Sequence, residues 1–177
     1  MKTNKIYNEN CLDTMAKMED NFIDLTVTSP PYDNLRTYNG YSFDFESIAK
    51  ELYRVTKEGG VVVWNIGDAT VDGSETGSSF RQALYFMECG FNLHDTMIWF
   101  KPNAFNLGSN NCYVQAFEYM FILSKGKPKT LNLIYDKENK SKGHIFRQFS
   151  KDNNGNTVLS KSKSEIKENG KRRNVWF

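Results

Sequence analysis

Four consecutive residues, Ser29-Pro30-Pro31-Tyr32, present the clearest chemistry in this 177-residue sequence. Two adjacent prolines fix two backbone φ angles and remove two N–H donors. What remains is a stiff loop offering carbonyl oxygens and a Ser hydroxyl, all able to accept hydrogen bonds. Such a loop suits a substrate that is itself a donor, an exocyclic amino group for example, and Tyr32 adds a planar face for a heterocycle to stack on. A plain Pro-Pro turn has the same composition. Position separates the two readings. The loop directly follows a β-branched stretch, Phe22–Thr28, and in open α/β sheets ligands sit beyond the C-terminal ends of the strands.

The flanking elements are those such a loop needs. Ile6 and Tyr7 begin a short extended segment, and Leu12, Met15 and Met18 give Cys11–Met18 a helical spacing. Phe45, Ile48, Leu52 and Val55 recur at steps of three and four and predict an amphipathic helix, with Gly59-Gly60 as its left-handed end. Val61 to Ile66 is a continuous apolar run of the kind a buried parallel strand shows. Phe80, Leu84 and Met87 mark another helix, capped by Ser78 or Ser79 and closed by Gly90. Thr96–Phe100 and Phe117–Leu123 read as strands. Alternating strands and helices predict an α/β fold, a mostly parallel sheet covered on both faces.

Charge divides the chain in two. Residues 1–123 carry 9 Lys/Arg against 16 Asp/Glu, whereas residues 124–177 carry 14 against 5. An acidic, apolar-rich body (1–123) followed by a basic, polar, loosely ordered segment (124–177) suggests a polyanionic partner, although a basic solvated extension has the same composition. Aromatic content of 14% argues against a chain disordered throughout. No stretch approaches the ~20 apolar residues of a membrane helix, and the N-terminus lacks the apolar run of a secretion signal, so a cytoplasmic protein is expected. Cys11, Cys89 and Cys112, with two histidines, make neither a zinc site nor a disulfide framework; no metal is expected, and the cysteines read as packing residues.

Taken with Thr28 before it, the Ser-Pro-Pro-Tyr loop resembles the hallmark of the amino-methylating DNA methyltransferases of bacteria and phages, in its Ser form. The resemblance extends through Asn34-Leu35-Arg36, Gly59-Gly60 and the following strand, Asn65-Ile66-Gly67-Asp68, Ile98-Trp99-Phe100-Lys101-Pro102 and Phe117-Glu118-Tyr119-Met120-Phe121. Arg172-Arg173-Asn174-Val175-Trp176 is similar to the segment after that family's target-recognition region. The resemblance implies a partial Rossmann-like methyltransferase sheet with an appended basic recognition segment. It implies transfer of a methyl group from S-adenosylmethionine to the amino group of a flipped cytosine (N4) or adenine (N6) in double-stranded DNA, as in restriction-modification or phage DNA protection. Ser29 and the Pro30 carbonyl would accept hydrogen bonds from that amino group, Pro31 would stiffen the loop and Tyr32 would stack on the base. Asn10 and Ser29 would contact the cofactor. Arg36, Lys101, Arg172 and Arg173 are candidate DNA contacts, each with a plain exposed-surface alternative. Asp68 would order the pocket or cap the next turn.

The sequence departs from the family in two places. No Gly-rich cofactor loop of Asp-Pro-Phe-x-Gly-x-Gly type occurs before Phe177, and Asn10 stands where the family usually has an acidic residue. The expectation is therefore the catalytic-loop and recognition part of a methyltransferase: truncated, a fragment, or one partner of a split enzyme whose second polypeptide carries the cofactor half. A non-catalytic DNA-binding remnant and a small-molecule methyltransferase are the competing readings. The residues leave the target base open, with the Ser form leaning toward cytosine N4, and say nothing of the recognition sequence.

Overall fold

The computed structural model describes residues 3–32, 43–103 and 112–176, which form two compact units: 1–131 with 174–177, and 132–173. The first unit contains α1 (Cys11–Ala16), β1 (Ile23–Thr28), α2 (Phe45–Val55), β2 (Thr56–Ile66), the small β3 (Thr70–Val71) and β4 (Ser74–Glu75), α3 (Ser78–Glu88), β5 (Asn92–Phe100) and β6 (Phe117–Ser124). The second holds β7 (Lys137–Glu138), β8 (Ile145–Lys151), β9 (Thr157–Glu165) and β10 (Asn169–Gly170); β11 (Val175–Trp176) returns to the first.

The main sheet has the order β1-β2-β6-β5-β11. β1 runs parallel to β2 and β11 parallel to β5, while β6 pairs antiparallel with both β2 and β5. Four of five strands thus point the same way, giving the mostly parallel α/β sheet expected, with Phe117–Ser124 as the reversed strand.

The core explains which face the helices take. Val62, Trp64 and Ile66 alternate as buried residues along β2, and Phe121 and Leu123 do so on β6; they pack with Ile48, Ala49, Leu52, Val55 and Phe86 of the helices. Aromatic edges fill the layer, with Trp64 and Phe86 at 4.9 Å between centroids. The opposite face stays open among the described residues: Leu25 and Val27 of β1 are 58% and 68% exposed. This corrects the expectation of a sheet covered on both faces, because an apolar run does not say how many of its sides are covered.

Local signals explain the boundaries. Asp44 caps α2 by accepting from the Ser47 N–H at 3.2 Å. The helix stops at Val55, and Gly59, at φ 79°, sits in an irregular stretch of β2 where Ile23 pairs with Thr56 but Leu25 with Val61. Gly59-Gly60 is therefore a bulge within the strand and not the helix end. Ile6 and Tyr7 form no strand, and Ile6 is 93% exposed. Arg54 secures α1 from below, donating to the Met15 and Met18 carbonyls at 2.8 and 3.0 Å while paired with Asp20 and Glu51. The cysteines divide: Cys89 packs on the core, whereas Cys11 and Cys112 are exposed, against the packing role expected of all three.

Residues 124–131 pack with the sheet, through Gly59 N–H to the Lys125 carbonyl and Lys129 N–H to the Gly59 carbonyl. The second unit is built of antiparallel pairs, β8 with β9 and β7 with β10. No helix of the described residues is long and apolar enough to cross a membrane.

Candidate active site

The Ser-Pro-Pro-Tyr loop leaves the C-terminal end of β1 and touches two different environments. Ser29, Pro30 and Pro31 line a cavity of about 520 Å³ on the helix side of the sheet. Its floor is apolar, with Met15, Ile48, Leu52 and Trp64, and its rim is polar, with Glu9, Asn10, Thr14 and Asp44. Among the described residues that line it none is Lys or Arg, which favours a neutral or cationic guest.

Asn10 is the N-cap of α1, its Oδ1 accepting from the Leu12 N–H at 3.0 Å. Its side-chain carbonyl oxygen is thereby engaged, which leaves the Nδ2 amide as its uncommitted polar group. Glu9 is paired with Lys17 at 2.7 Å, which holds its carboxyl below the usual range.

Tyr32 reaches the other way. Its hydroxyl lies 2.7 Å from Ser29 Oγ, donates to Glu118 Oε2 at 2.8 Å and accepts from Asn65 Nδ2 at 2.9 Å. Asn65 Nδ2 also donates to Glu118 Oε2 at 2.5 Å, and Lys101 Nζ donates to Glu118 Oε1. Gly67 lies under the Tyr32 ring: a Cβ there would stand 3.7 Å from the ring carbons. The register of β2 and β6 explains the meeting. Asn65 pairs with Met120, which places Asn65 and Glu118 on the open face, while Trp64 and Phe121 turn to the helices.

Glu118 is only 14% exposed. Burial would raise its carboxyl, but the hydrogen bonds from Lys101, Tyr32 and Asn65 outweigh it and hold the group below the ordinary carboxylate range, so it is ionised at neutral pH. Burial, reinforced by the Glu118 charge, pushes the Tyr32 phenol up to about 12, so it stays protonated. Asn65 Oδ1 is buried without a hydrogen-bond partner: the amide is turned so that its donor serves the carboxylate.

Of the residues singled out from sequence, Ser29, Pro30, Pro31 and Tyr32 converge, and Asn10 joins them across the cavity. Lys101 is engaged by Glu118 and lies 4.8 Å over the Trp99 ring. Arg172 pairs with Asp136 in the second unit, and Arg173 is exposed. Arg36 falls outside the described residues. Asp68 is a cap: it accepts from Ser79 N–H at 2.9 Å, Ser79 Oγ at 2.5 Å and Ser78 Oγ at 3.1 Å at the start of α3, a task expected of Ser78 or Ser79. No cluster of three metal-ligating side chains occurs among the described residues. Glu118 and Asn65 have no role legible from spacing alone; the one signal for Glu118 is a charge inside an otherwise apolar strand, Phe117-Glu118-Tyr119-Met120-Phe121.

Residues 23–177 match the sequence profile of the N6/N4-type DNA methylases. The chain belongs to this DNA amino-methyltransferase family. It is 62% identical over 157 residues to the orphan methyltransferase M.BamHII of Bacillus amyloliquefaciens, covering 87% of this chain and 58% of that one. It is 33% identical to the type II methyltransferase M.MthZI of Methanothermobacter thermautotrophicus, over 72% of this chain and 46% of that one. The chain thus spans about half the length of these two relatives. In fold it resembles the PvuII DNA methyltransferase (cytosine-N4-specific), with 22% identity and a TM-score of 0.58 over 73% of this chain and 50% of the other. A second resemblance is to M1.HpyAVI in its complex with SAM, with 19% identity and a TM-score of 0.51 over 78% of this chain and 60% of that one.

Proposed function

We propose that this chain carries the base-accepting part of an S-adenosylmethionine-dependent DNA methyltransferase, acting on the exocyclic amino group of a flipped cytosine (N4) or adenine (N6) in duplex DNA. The observation that carries this reading is the loop itself: Ser29 and the two prolines border an acid-rimmed cavity while Tyr32 ties the loop to an ionised Glu118. S-adenosylmethionine has a net positive charge, an apolar adenine face and several donors, which fits a cavity with an apolar floor and two carboxylates, Asp44 and the Lys17-paired Glu9. Asn10, Ser29 and Asp44 would hold its polar groups, and Met15, Ile48 and Trp64 its apolar surface. When bound, it supplies an electrophilic methyl on a sulfonium.

The chain's own part is positioning. Ser29 Oγ and the Pro30 carbonyl would accept hydrogen bonds from the target amino group, holding its nitrogen lone pair out of conjugation and aimed into the cavity, with the proton that the nitrogen gives up passing to solvent. No covalent enzyme intermediate is needed, and catalysis rests on orientation and electrostatics. The Tyr32 ring offers a stacking face for the extruded base. Such a protein works where duplex DNA and the methyl donor meet, in the cytoplasm of a bacterium or a phage-infected host.

A second reading adds a partner. Among the described residues β1 pairs only with β2, and exposes Leu25 and Val27. An open apolar edge favours completion by further strands, supplied by a second polypeptide that carries the rest of the cofactor site. The test is tritiated methyl incorporation into DNA by the chain, alone and mixed with a polypeptide matching the remainder of M.BamHII. Methylation by either sample supports the reading; none in both, with a folded chain, sinks it.

A further inference from the structure

The hydrogen bonds around Tyr32 have only one consistent direction, and that direction determines what Ser29 can do. Glu118 has no proton to give, so the Tyr32 phenol donates to it at 2.8 Å. The phenol has one proton. At the 2.7 Å contact with Ser29 the hydroxyl of Ser29 must therefore be the donor. Asn65 Nδ2 donates to the same phenolic oxygen, which fills its second acceptor position. The single proton of Ser29 is thus committed to Tyr32, and its remaining lone pairs are free.

We propose that Glu118, pinned by Lys101, is a positioning residue that sets the direction of the Glu118–Tyr32–Ser29 chain, so that Ser29 meets the target amino group as an acceptor only. The proposal rests on the methyl-transfer reading for its consequence, but the direction of the chain stands on geometry. Three donors converge on this one carboxylate, from Lys101, Tyr32 and Asn65. The price is visible in the orphaned Asn65 Oδ1, which a neutral neighbour would not impose. Were the chain reversed, Tyr32 would donate to Ser29 and the Ser29 proton would point at the incoming N–H bonds, donor against donor.

Glu118→Gln performs that reversal. Lys101 retains the amide oxygen, and the amide nitrogen then faces Tyr32 and Asn65, two groups that had been donating to that position. Two readouts separate the proposal from the reading beneath it. The first needs no activity: NMR titration of the phenol in protein carrying carbon-13 at the tyrosine ζ position, with the Tyr32→Phe spectrum assigning the resonance. Tyr32 is expected to titrate lower in Glu118→Gln than in the unmodified chain. The second is methyl transfer by the chain, with its complementing polypeptide where that is required. Glu118→Gln should lower kcat roughly 10- to 100-fold, with KM for DNA little changed. Glu118→Asp should recover part of the loss, and Tyr32→Phe, which keeps the ring, should lose as much as Glu118→Gln. Unchanged Tyr32 titration in a folded Glu118→Gln overturns the proposal even if no sample methylates DNA. Wild-type kcat in Glu118→Gln or Tyr32→Phe overturns it as well. Should Glu118→Gln fail to fold, the Tyr32→Phe kcat and the titration in Glu118→Asp decide.

Discussion

Ser29 and Tyr32 stand at the junction between a cavity and a buried charge, and their substitutions should separate cleanly. On the proposed role of Ser29 as acceptor for the amino group, Ser29→Ala is expected to depress methyl transfer about 100-fold with little change in melting temperature, since Ser29 is exposed. Tyr32→Ala should abolish transfer and also lower stability, because its ring packs against the core. Circular-dichroism melts beside tritium incorporation check both. The Glu118 carboxyl brings a pH signature. Its folded value lies below the ordinary 4.5, held there by Lys101, Tyr32 and Asn65, so its contribution is complete above about 4.5 and is lost as pH falls through the lower value. Urea unfolding between pH 3 and 7 should show the gap between the chain and Glu118→Gln closing toward acid. A gap independent of pH would mean that the charge does not stabilise the fold.

At the scale of elements, the loop works because β1, α1 and α3 are each fastened at one end. Asp68 fastens α3 with acceptors for the orphan N–H of Ser79 and for the hydroxyls of Thr76, Ser78 and Ser79. Asp68→Ala should cost about 1–2 kcal/mol, measured by chemical denaturation. Much of this level was legible in the sequence. The β-branched run before Ser29, the three- and four-residue spacing from Phe45 to Val55 and the apolar run from Val61 to Ile66 each became the element they suggest, because side-chain branching and spacing bias the local backbone directly. Less legible was anything set by pairing. That Phe117–Ser124 runs backwards, that Gly59 lies in a bulge, and that Leu25 and Val27 face outward depend on neighbours distant in sequence. The same holds at the site. Ser29–Tyr32 could be found because its members are adjacent, whereas Asn65 and Glu118 meet Tyr32 only through strand register.

For the molecule as a whole, the basic excess is concentrated in residues 132–173, with 11 Lys/Arg against 5 Asp/Glu. On its hairpin Arg147 stands directly opposite Lys163, a like-charge pair that disfavours the pairing unless an anion sits between. On the proposed function that anion is the phosphate backbone of duplex DNA. Replacing both by Ser should weaken DNA binding and reduce the slope of log K against log salt by about 0.9 for each phosphate no longer neutralised. Lys101→Met should leave that slope unchanged, its ammonium being committed to Glu118. Fluorescence anisotropy over a salt series measures both; equal slopes for all three proteins would make the hairpin a solvated extension. Cofactor affinity belongs to this scale too. With the β1 edge open, the cavity alone should hold S-adenosylmethionine only at millimolar strength, roughly 4 kcal/mol short of a micromolar site, by titration calorimetry.

The second unit has a neck. Its incoming and outgoing segments lie side by side, joined by the Arg172 N–H to the Ile134 carbonyl at 2.8 Å, by the Arg172–Asp136 pair and by the antiparallel β7 and β10. The core cluster of the first unit draws no residue from it. Two chain ends that already meet make a natural graft point, since a short bridge there closes the chain with little entropic penalty. Residues 132–173 can thus be exchanged like a cassette, for a Gly-Ser bridge or for the corresponding stretch of a relative, while the sheet and its reactive loop stay as they are.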